Sequence, residues 1–390
     1  MKSTRFASID IMRAVTMLLM IFVNDLWSLT DIPGWLGHAK GSEDRLGFSD
    51  IIFPAFLFIV GLSIPYAIKA RISKGESNLE ILKHIALRSV ALIVMGFFHV
   101  NLENINASEL SIAKPYWQIL MTLSFFLIWN NYTDKKAFNG KVPEWVMQVA
   151  GIAILILLFF TYKDSTDNDL MKFRWYGILG LIGWSYLFCA TLYLLLRDNL
   201  IWIGIACFAF YLLNVNQFIQ PFDISIPLVV SASNPASVMT GVLVTVILIN
   251  LKAKERIGQI IPVLLGLGTI LMIFGILTRP EWGISKIGAT PSWTAICAGI
   301  SITTFVVLHI VADKMGHVKW ASIISPAGYS TLTCYLVPYF AYAIVYNIMH
   351  LNLPDVMTTG VIGLIKSMLF SMIIIWITGL LFKFKISLKI

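Results

Sequence analysis

Four polar residues near the start of the chain have the side-chain types that acyl-transfer chemistry uses. His38 is the only histidine before residue 80, and Asp50 stands at the beginning of a long apolar run. An imidazole backed by a carboxylate is a common general base near neutral pH, because the acid fixes the tautomer and stabilises the imidazolium. Asn24 and Asp25 end the preceding apolar run, and an asparagine amide can donate a hydrogen bond to a developing oxyanion. These types together would suit transfer of an acyl group to an amine or a hydroxyl.

Ordinary structural roles are the alternative for each of these residues. Asp50 could cap the second helix, because an aspartate at a helix start satisfies free amides and favours the helix dipole. Asn24 and Asp25 could end the first helix at the membrane interface, where helix ends are polar in any case. His38 could be a plain loop histidine. Spacing alone does not decide between the two interpretations.

Most of the chain consists of apolar runs that are long enough to cross a membrane. The composition is 58% hydrophobic and 13% charged over 390 residues, which does not describe a water-soluble protein. A hydrocarbon core of about 30 Å requires roughly 20 apolar residues in a helix. We therefore predict an all-α polytopic membrane protein with about 12 transmembrane helices (range roughly 10–12) in a single domain over residues 1–390.

The predicted spans lie near residues 12–29, 51–70, 84–100, 115–132, 143–162, 174–196, 199–214, 236–251, 257–277, 291–313, 325–349 and 359–382. The run at 199–214 is the weakest, because charged and polar residues leave little room before it. A re-entrant segment there would reverse every later orientation.

The distribution of basic residues predicts the orientation of the spans. With the N-terminus in the cytoplasm, roughly two thirds of the 29 Lys and Arg residues fall on the inner side. This asymmetry predicts that both termini are cytoplasmic, and it explains the net charge of +8 without nucleic acid. We expect a multi-pass protein of the cell inner membrane, in contact with lipid, whose first apolar run is retained as an uncleaved anchor.

The sequence gives no support for metal or nucleotide-hydrolysis chemistry. The cysteines Cys189, Cys207, Cys297 and Cys334 lie singly in apolar runs, which argues against a disulfide framework and a metal cluster. No phosphate-binding loop, zinc-protease motif or dinucleotide fingerprint is present. We expect no metal site.

Several stretches resemble a known enzyme family. "RFASIDIMRAVTMLLMIFVND" and "HAKGSEDRLGFSDIIFPAFLFIVGLSI" are similar to the start of the transmembrane acyltransferase family that includes heparan-alpha-glucosaminide N-acetyltransferase and its bacterial relatives. "SKIGATPSW", "PAGYSTLTCY" and the basic tail "FKFKISLKI" extend the resemblance. It implies a membrane enzyme that passes an acetyl group from cytosolic acetyl-CoA to the amine of a glucosamine-type sugar on the far side.

The resemblance also implies roles for individual residues. The family's catalytic histidine, asparagine and aspartate fall on His38, Asn24 and Asp50. Its arginine after a Ser-x-Asp motif falls on Arg13, preceded by Ser8 and Asp10. The chain departs from the family at Ala14, Met121, Thr122 and Ser330, and residues 163–235 match poorly.

Arg13 is a candidate for holding a CoA phosphate, and Arg88 is a second. Arg13 and Asn24 are eleven residues apart on one helix, which is roughly 16 Å at 1.5 Å per residue and close to the length of an extended pantetheine arm. Asp25 and Lys286 are candidates for binding the acceptor sugar. Anchoring at the membrane surface is the alternative role for these basic residues.

The expected mechanism is direct transfer, in which His38 deprotonates the sugar ammonium, Asp50 orients His38 and Asn24 steadies the oxyanion. An acetyl-histidine intermediate is the alternative within the same class. A secondary transporter for an amino sugar is the alternative function, because twelve spans with helices broken by glycine and proline would also suit it. A homodimer is compatible with the sequence, which does not reveal a dimer face.

Overall fold

Apolar segments in a membrane fold as helices, because the hydrocarbon offers no water to backbone groups and a helix satisfies them internally. The computed structural model describes residues 6–132, 136–137, 142–166, 169–219, 231–351 and 353–390. The helices are α1 (Ala7–Asp25), α2 (Ser49–Ile72), α3 (Asn78–Glu103), α4 (Lys114–Trp129), α5 (Glu144–Phe160), α6 (Gly177–Leu196), α7 (Leu200–Ile219), α8 (Ser233–Ala253), α9 (Ile260–Trp282), α10 (Pro291–Leu308), α11 (Ser325–Tyr329), α12 (Thr331–Ala341) and α13 (Gly360–Lys383). Strands β1 (Lys136–Ala137) and β2 (Val142–Pro143) pair antiparallel between α4 and α5.

The prediction of an all-α membrane fold is confirmed. Within the described ranges, 10 helical segments are long and apolar enough to cross a membrane. Each predicted run overlaps a helix, and α7 has 20 residues, which suffices for a single crossing. Helices α4 and α5 have 16 and 17 residues, so they are only about 24–26 Å long. A total of twelve spans and the cytoplasmic location of both termini stay predictions.

Helix α1 is central, because it packs against α2, α10, α11, α12 and α13. Its neighbour α2 crosses α8 at two glycines. A Cβ at Gly61 would lie 1.9 Å from the carbonyl oxygen of Val238, and a Cβ at Gly241 would lie 2.0 Å from that of Phe58. Glycine is therefore required at both positions for the two backbones to approach this closely. The crossing fixes α2 between α1 and α8.

The predicted span over 325–349 is interrupted in the structure. Helix α11 ends at Tyr329, Ser330 adopts φ −121° and ψ 47°, and α12 begins at Thr331. The helix then continues as π-helical turns over Tyr342–Ile348. Non-helical backbone at membrane depth is tolerated where it lines a cavity. Residues 328–332 do line one, which is described below.

Candidate functional site

His38 and Asp50 form a hydrogen-bonded pair at the beginning of α2. The Nδ1 atom of His38 lies 2.7 Å from Oδ1 of Asp50. The other carboxylate oxygen accepts hydrogen bonds from the backbone N–H groups of Ala39 at 3.0 Å and Gly47 at 3.1 Å. The carboxylate is 1% exposed, whereas the imidazole is 49% exposed. Because Nδ1 faces the carboxylate, Nε2 is the ring nitrogen left to accept a proton from another molecule.

Lys286 lies beside this pair. Its Nζ atom is 3.3 Å from Nδ1 of His38, although the two residues are 248 positions apart in the chain. Burial lowers the pKa of the Lys286 ammonium, and the nearby Asp50 carboxylate offsets part of that shift. The structure thus brings together His38, Asp50 and Lys286, which the sequence had assigned to base, positioning and acceptor-binding roles. Those roles themselves stay predictions.

Asp44 connects the loop of His38 to the loop of Lys286 through hydrogen bonds. The sequence did not reveal this connection. Both carboxylate oxygens accept from Nε of Arg279, at 2.9 and 3.1 Å, and Oδ1 also accepts from the Ile284 N–H at 2.7 Å. These contacts, with the Ile284 N–H first, hold the pKa of Asp44 below its usual value. The "DRLG" segment that contains Asp44 joins two loops at one end of the bundle.

A cavity of about 480 Å³, the inner cavity, lies between α1, α2, α3, α6 and the break between α11 and α12. Arg13 and Arg88 both line it, as does Lys389 near the end of the chain. Along α2 the lining extends from Ala70 to Phe56, which is about 21 Å at 1.5 Å per residue. Phe56 is six residues from Asp50, or about 9 Å along the same helix. The inner cavity therefore extends from the arginines along α2 as far as Phe56, and neither His38 nor Asp50 is among its lining residues.

The two arginines of the inner cavity are held differently. Arg13 donates to Oγ of Ser63 at 2.6 Å, to the carbonyl oxygen of Gly328 at 3.3 Å and to Asp10 at 3.1 Å. Arg88 stacks over the ring of Tyr186, with Cζ 4.9 Å from the ring centroid. Its buried Nε has no hydrogen-bond partner among the described residues. A buried N–H of a guanidinium without a partner calls for a ligand or water to complete it.

Ser330 is a second unpaired group in this cavity. Its Oγ atom is buried without a hydrogen-bond partner in the described part of the chain, and the residue lines the inner cavity. The sequence had identified Ser330 only as a departure from the family pattern. Ser330 lies at the interruption between α11 and α12.

Ser8 and Asp10 do not line the inner cavity. Asp10 pairs with Arg13, so any contribution to binding would act through that arginine. Ser8 is buried at the start of α1, where the N–H groups of Ala7 and Ser8 donate to Asp313 at 2.7 and 3.3 Å. Asp313 also accepts from Nδ1 of His309 at 2.9 Å. The pair of His309 and Asp313 therefore packs locally, and its carboxylate caps the start of α1.

Asn24 lies on a second cavity, of about 570 Å³, which we call the outer cavity. Ile178 and Tyr335 line both cavities, so the two meet there. The sequence places Asn24, Asp25, His38 and Asp50 in one cluster. Among the described residues, however, only His38 and Asp50 are joined by a hydrogen bond. Asn24 is at the same end of the bundle, because α1 and α2 are antiparallel neighbours.

Asp25 is buried in a network of its own. Its carboxylate accepts from Nζ of Lys366 at 2.7 Å, Oγ of Ser367 at 2.6 Å and the Tyr342 hydroxyl at 2.9 Å. The side chain is 1% exposed. We had expected Asp25 to bind the acceptor directly, but its oxygens are already engaged. Of its three partners named here, Tyr342 is the one that lines the outer cavity.

The comparisons with known proteins agree with the resemblance seen in the sequence. A family described as "Domain of unknown function (DUF5009)" matches residues 5–218, more than half of the chain. The chain belongs to this family. It is also 35% identical over 101 residues to heparan-alpha-glucosaminide N-acetyltransferase of Homo sapiens, and 32% identical over 103 residues to that of Mus musculus. Each alignment covers 25% of this chain and 14% of the relative's length.

Proposed function

We propose that this DUF5009 protein is a membrane acetyltransferase that moves an acetyl group from acetyl-CoA on the cytoplasmic side to the amine of a glucosamine-type sugar on the other side. One observation carries the proposal. The inner cavity runs along α2 from the arginine end of the bundle to Phe56, six residues from the Asp50 that is hydrogen-bonded to His38. Such a path lets the acyl group cross the membrane on an extended arm while the charged nucleotide stays at the inner end.

The residues of the inner cavity fit the charged part of acetyl-CoA. Phosphate oxygens would accept hydrogen bonds from guanidinium groups such as Arg13 and Arg88. Two atoms of residues that line this cavity, Nε of Arg88 and Oγ of Ser330, are buried without a hydrogen-bond partner among the described residues. Further along α2, apolar residues such as Ile59 and Val60 would line the path of the arm. Ser8 and Asp10 would contribute only by holding α1 and Arg13.

The pair of His38 and Asp50 supports a general base. Nε2 of His38 would take a proton from the sugar ammonium, and Asp50 would stabilise the imidazolium through Nδ1. The free amine would then form a C–N bond to the thioester carbonyl carbon as the C–S bond breaks. The departing thiolate would take that proton from His38, and the nitrogen would lose its second proton to water as the amide forms, so that one proton is released in each turnover. Asn24 would donate to the oxyanion in this scheme, which requires the carbonyl to reach the end of the bundle that α1 and α2 share.

An acetyl-histidine intermediate is compatible with the same residues, with Nε2 of His38 attacking the thioester first. The two routes differ in what a single turnover leaves on the protein. Labelled acetyl-CoA without acceptor would leave the acetyl group on His38 by the covalent route and leave none by direct transfer.

The partially discontinuous α11–α12 segment favours a second candidate, a secondary transporter for an amino sugar. Broken helices that line a substrate cavity are typical of transporters, and Ser330 lies at such a break. Lys286 and the pair of His38 and Asp50 at one end of the bundle have no evident role in that case. We therefore favour the transferase.

The test uses purified full-length protein with acetyl-CoA and glucosamine, and measures the release of free thiol together with N-acetylated sugar. We expect both products from the wild type, loss of both in His38→Gln, and retention in the matched control His317→Gln, since His317 is exposed in a distant loop. Uptake of glucosamine into proteoliposomes without thiol release would instead identify a transporter. The cell inner membrane location, a single domain over 1–390 and a homodimer are further parts of the proposal.

A further inference from the structure

The outer cavity contains a buried histidine that the proposed mechanism does not use. His99 is only 5% exposed, and neither of its ring nitrogens has a hydrogen-bond partner among the described residues. Its ring lies parallel to that of Tyr339, with centroids 4.3 Å apart, and meets Phe125 edge to face at 5.5 Å. These contacts fix the plane of the imidazole but leave both nitrogens unsatisfied. Buried polar groups without partners are rare, and they mark places where a ligand or water completes the site.

The other residues that line the cavity indicate what the ligand is. Glu103, four residues after His99 on α3, supplies a carboxylate for an ammonium group. Asn24 supplies an amide for hydroxyl groups, and Trp175 and Tyr342 supply aromatic rings for the C–H faces of a sugar. The volume of about 570 Å³ is within the range of small-molecule sites. Lys114 lines the same cavity and is close enough to act on the charge of Glu103. An imidazole, an amide, a carboxylate and aromatic rings together suit a hydroxylated amine.

We infer that the outer cavity binds the amino-sugar acceptor, with His99 hydrogen-bonded to a sugar hydroxyl and Glu103 paired with the ammonium. Neither His38 nor Asp50 is among the residues that line this cavity, so the bound sugar must move toward His38 before transfer. The role as acceptor rests on the proposed function, whereas binding itself does not. The position is suitable because the outer cavity meets the inner cavity at Ile178 and Tyr335. An acyl group delivered through the inner cavity would thus arrive beside the bound sugar. His99 is a binding residue in this account and takes no proton.

Binding is measured first, on the full-length protein without acetyl-CoA, by calorimetric titration with glucosamine and with glucose, which lacks the amine. His99→Phe keeps the ring stacked on Tyr339 and removes both nitrogens, so we expect about tenfold weaker binding of both sugars. Glu103→Gln should weaken the binding of glucosamine and leave that of glucose within twofold. His84→Phe is the matched control, because His84 is on the same helix but half exposed at its other end; it should change neither.

Equal affinity of His99→Phe and wild type for both sugars would overturn the inference. If that variant does not fold, the wild-type protein can test the inference instead. Glucosamine should protect His99 from carbethoxylation by diethyl pyrocarbonate, which is measured by mass spectrometry. Lack of protection would also overturn it.

The kinetic readout separates this inference from the proposed function. In an active enzyme, His99→Phe should raise KM for glucosamine about tenfold and leave KM for acetyl-CoA unchanged. Acetyl transfer with no effect of His99→Phe would leave the proposed function intact and reject the acceptor site. If sugar binding depends on His99 but no acetyl transfer is detected, the binding site stands and the proposed function is rejected.

Discussion

Replacing Asp50 by asparagine should separate the fold of the His38 loop from the chemistry of His38. The asparagine amide oxygen can take the place of Oδ2 and keep the hydrogen bonds from the N–H groups of Ala39 and Gly47. Its NH₂ group then faces Nδ1 of His38, where the carboxylate was 2.7 Å away. An NH₂ donor requires an unprotonated Nδ1, so the proton moves to Nε2. The imidazole is therefore held in the tautomer that cannot act as a base.

Two magnitudes follow from these contacts. The three hydrogen bonds to Asp50 lose their charged acceptor, but the cost of burying a carboxylate is removed at the same time, so the free energy of unfolding should fall by only about 1–2 kcal/mol. Loss of general-base catalysis with the wrong tautomer should lower kcat by roughly 10²–10⁴-fold. That corresponds to about 3–5 kcal/mol of transition-state stabilisation. Activity should thus be lost from a protein that still folds.

The assay measures thiol release from acetyl-CoA with saturating glucosamine, alongside thermal unfolding in the same detergent. The matched control is Glu43→Gln, because Glu43 is an exposed carboxylate of the same loop that bonds to Lys40 and Arg45. We expect the control to keep kcat within about twofold of wild type. A folded Asp50→Asn variant with kcat within tenfold of wild type would refute the assignment of His38 as the base.

Three further outcomes are expected from the described contacts. Arg13→Lys should raise KM for acetyl-CoA more than it lowers kcat, because lysine cannot reproduce the branched contacts to Ser63 and Gly328; equal changes in both would contradict phosphate binding. Lys286→Met should raise Tm at pH 7 while impairing turnover. The lowered pKa of Lys286 means that its protonated form destabilises the fold, and this cost fades as pH rises past that pKa, so the gain in Tm should shrink toward pH 10. A gain in Tm that does not depend on pH would contradict the lowered pKa of Lys286. Asp313→Asn should lower the free energy of unfolding by about 1–2 kcal/mol through the cap of α1 with KM for acetyl-CoA unchanged, and a tenfold change in that KM would instead place Asp313 in the donor site.

The parts of the site that sequence could predict are those held together by nearby residues. His38 and Asp50 are 12 residues apart, so a short loop onto α2 was enough to suggest their contact. The helices were predictable because long apolar runs have few other options in a membrane. Arg13 and Gly328 are 315 residues apart, and Asp25 and Lys366 are 341 apart. Such contacts depend on which helices pack together, and a local sequence pattern does not predict helix packing.

Unpaired polar groups were equally invisible in the sequence. The spacing of His99 on α3 identifies a helix-boundary histidine and gives no sign that both its nitrogens lack partners. The role of Asp44 was invisible too, since its partners Arg279 and Ile284 lie more than two hundred residues away. A structure is needed to distinguish a buried group with a missing partner from one that is satisfied. That distinction is what assigns ligands to the two cavities.

The separation between the two ends of the proposed reaction is set by helices. On α1, Arg13 and Asn24 are about 16 Å apart, and on α2, Ser63 and Asp50 are about 20 Å apart. Because Ser63 bonds to Arg13, the two helices are tied together at the inner end. A transporter must change the access to its site from one end of the bundle to the other. An acyl relay needs the separation to stay constant, so that binding at the phosphate end positions the thioester at the other end. An antiparallel α1–α2 pair that is hydrogen-bonded at its inner end suits the constant separation of an acyl relay better than the change of access that a transporter needs.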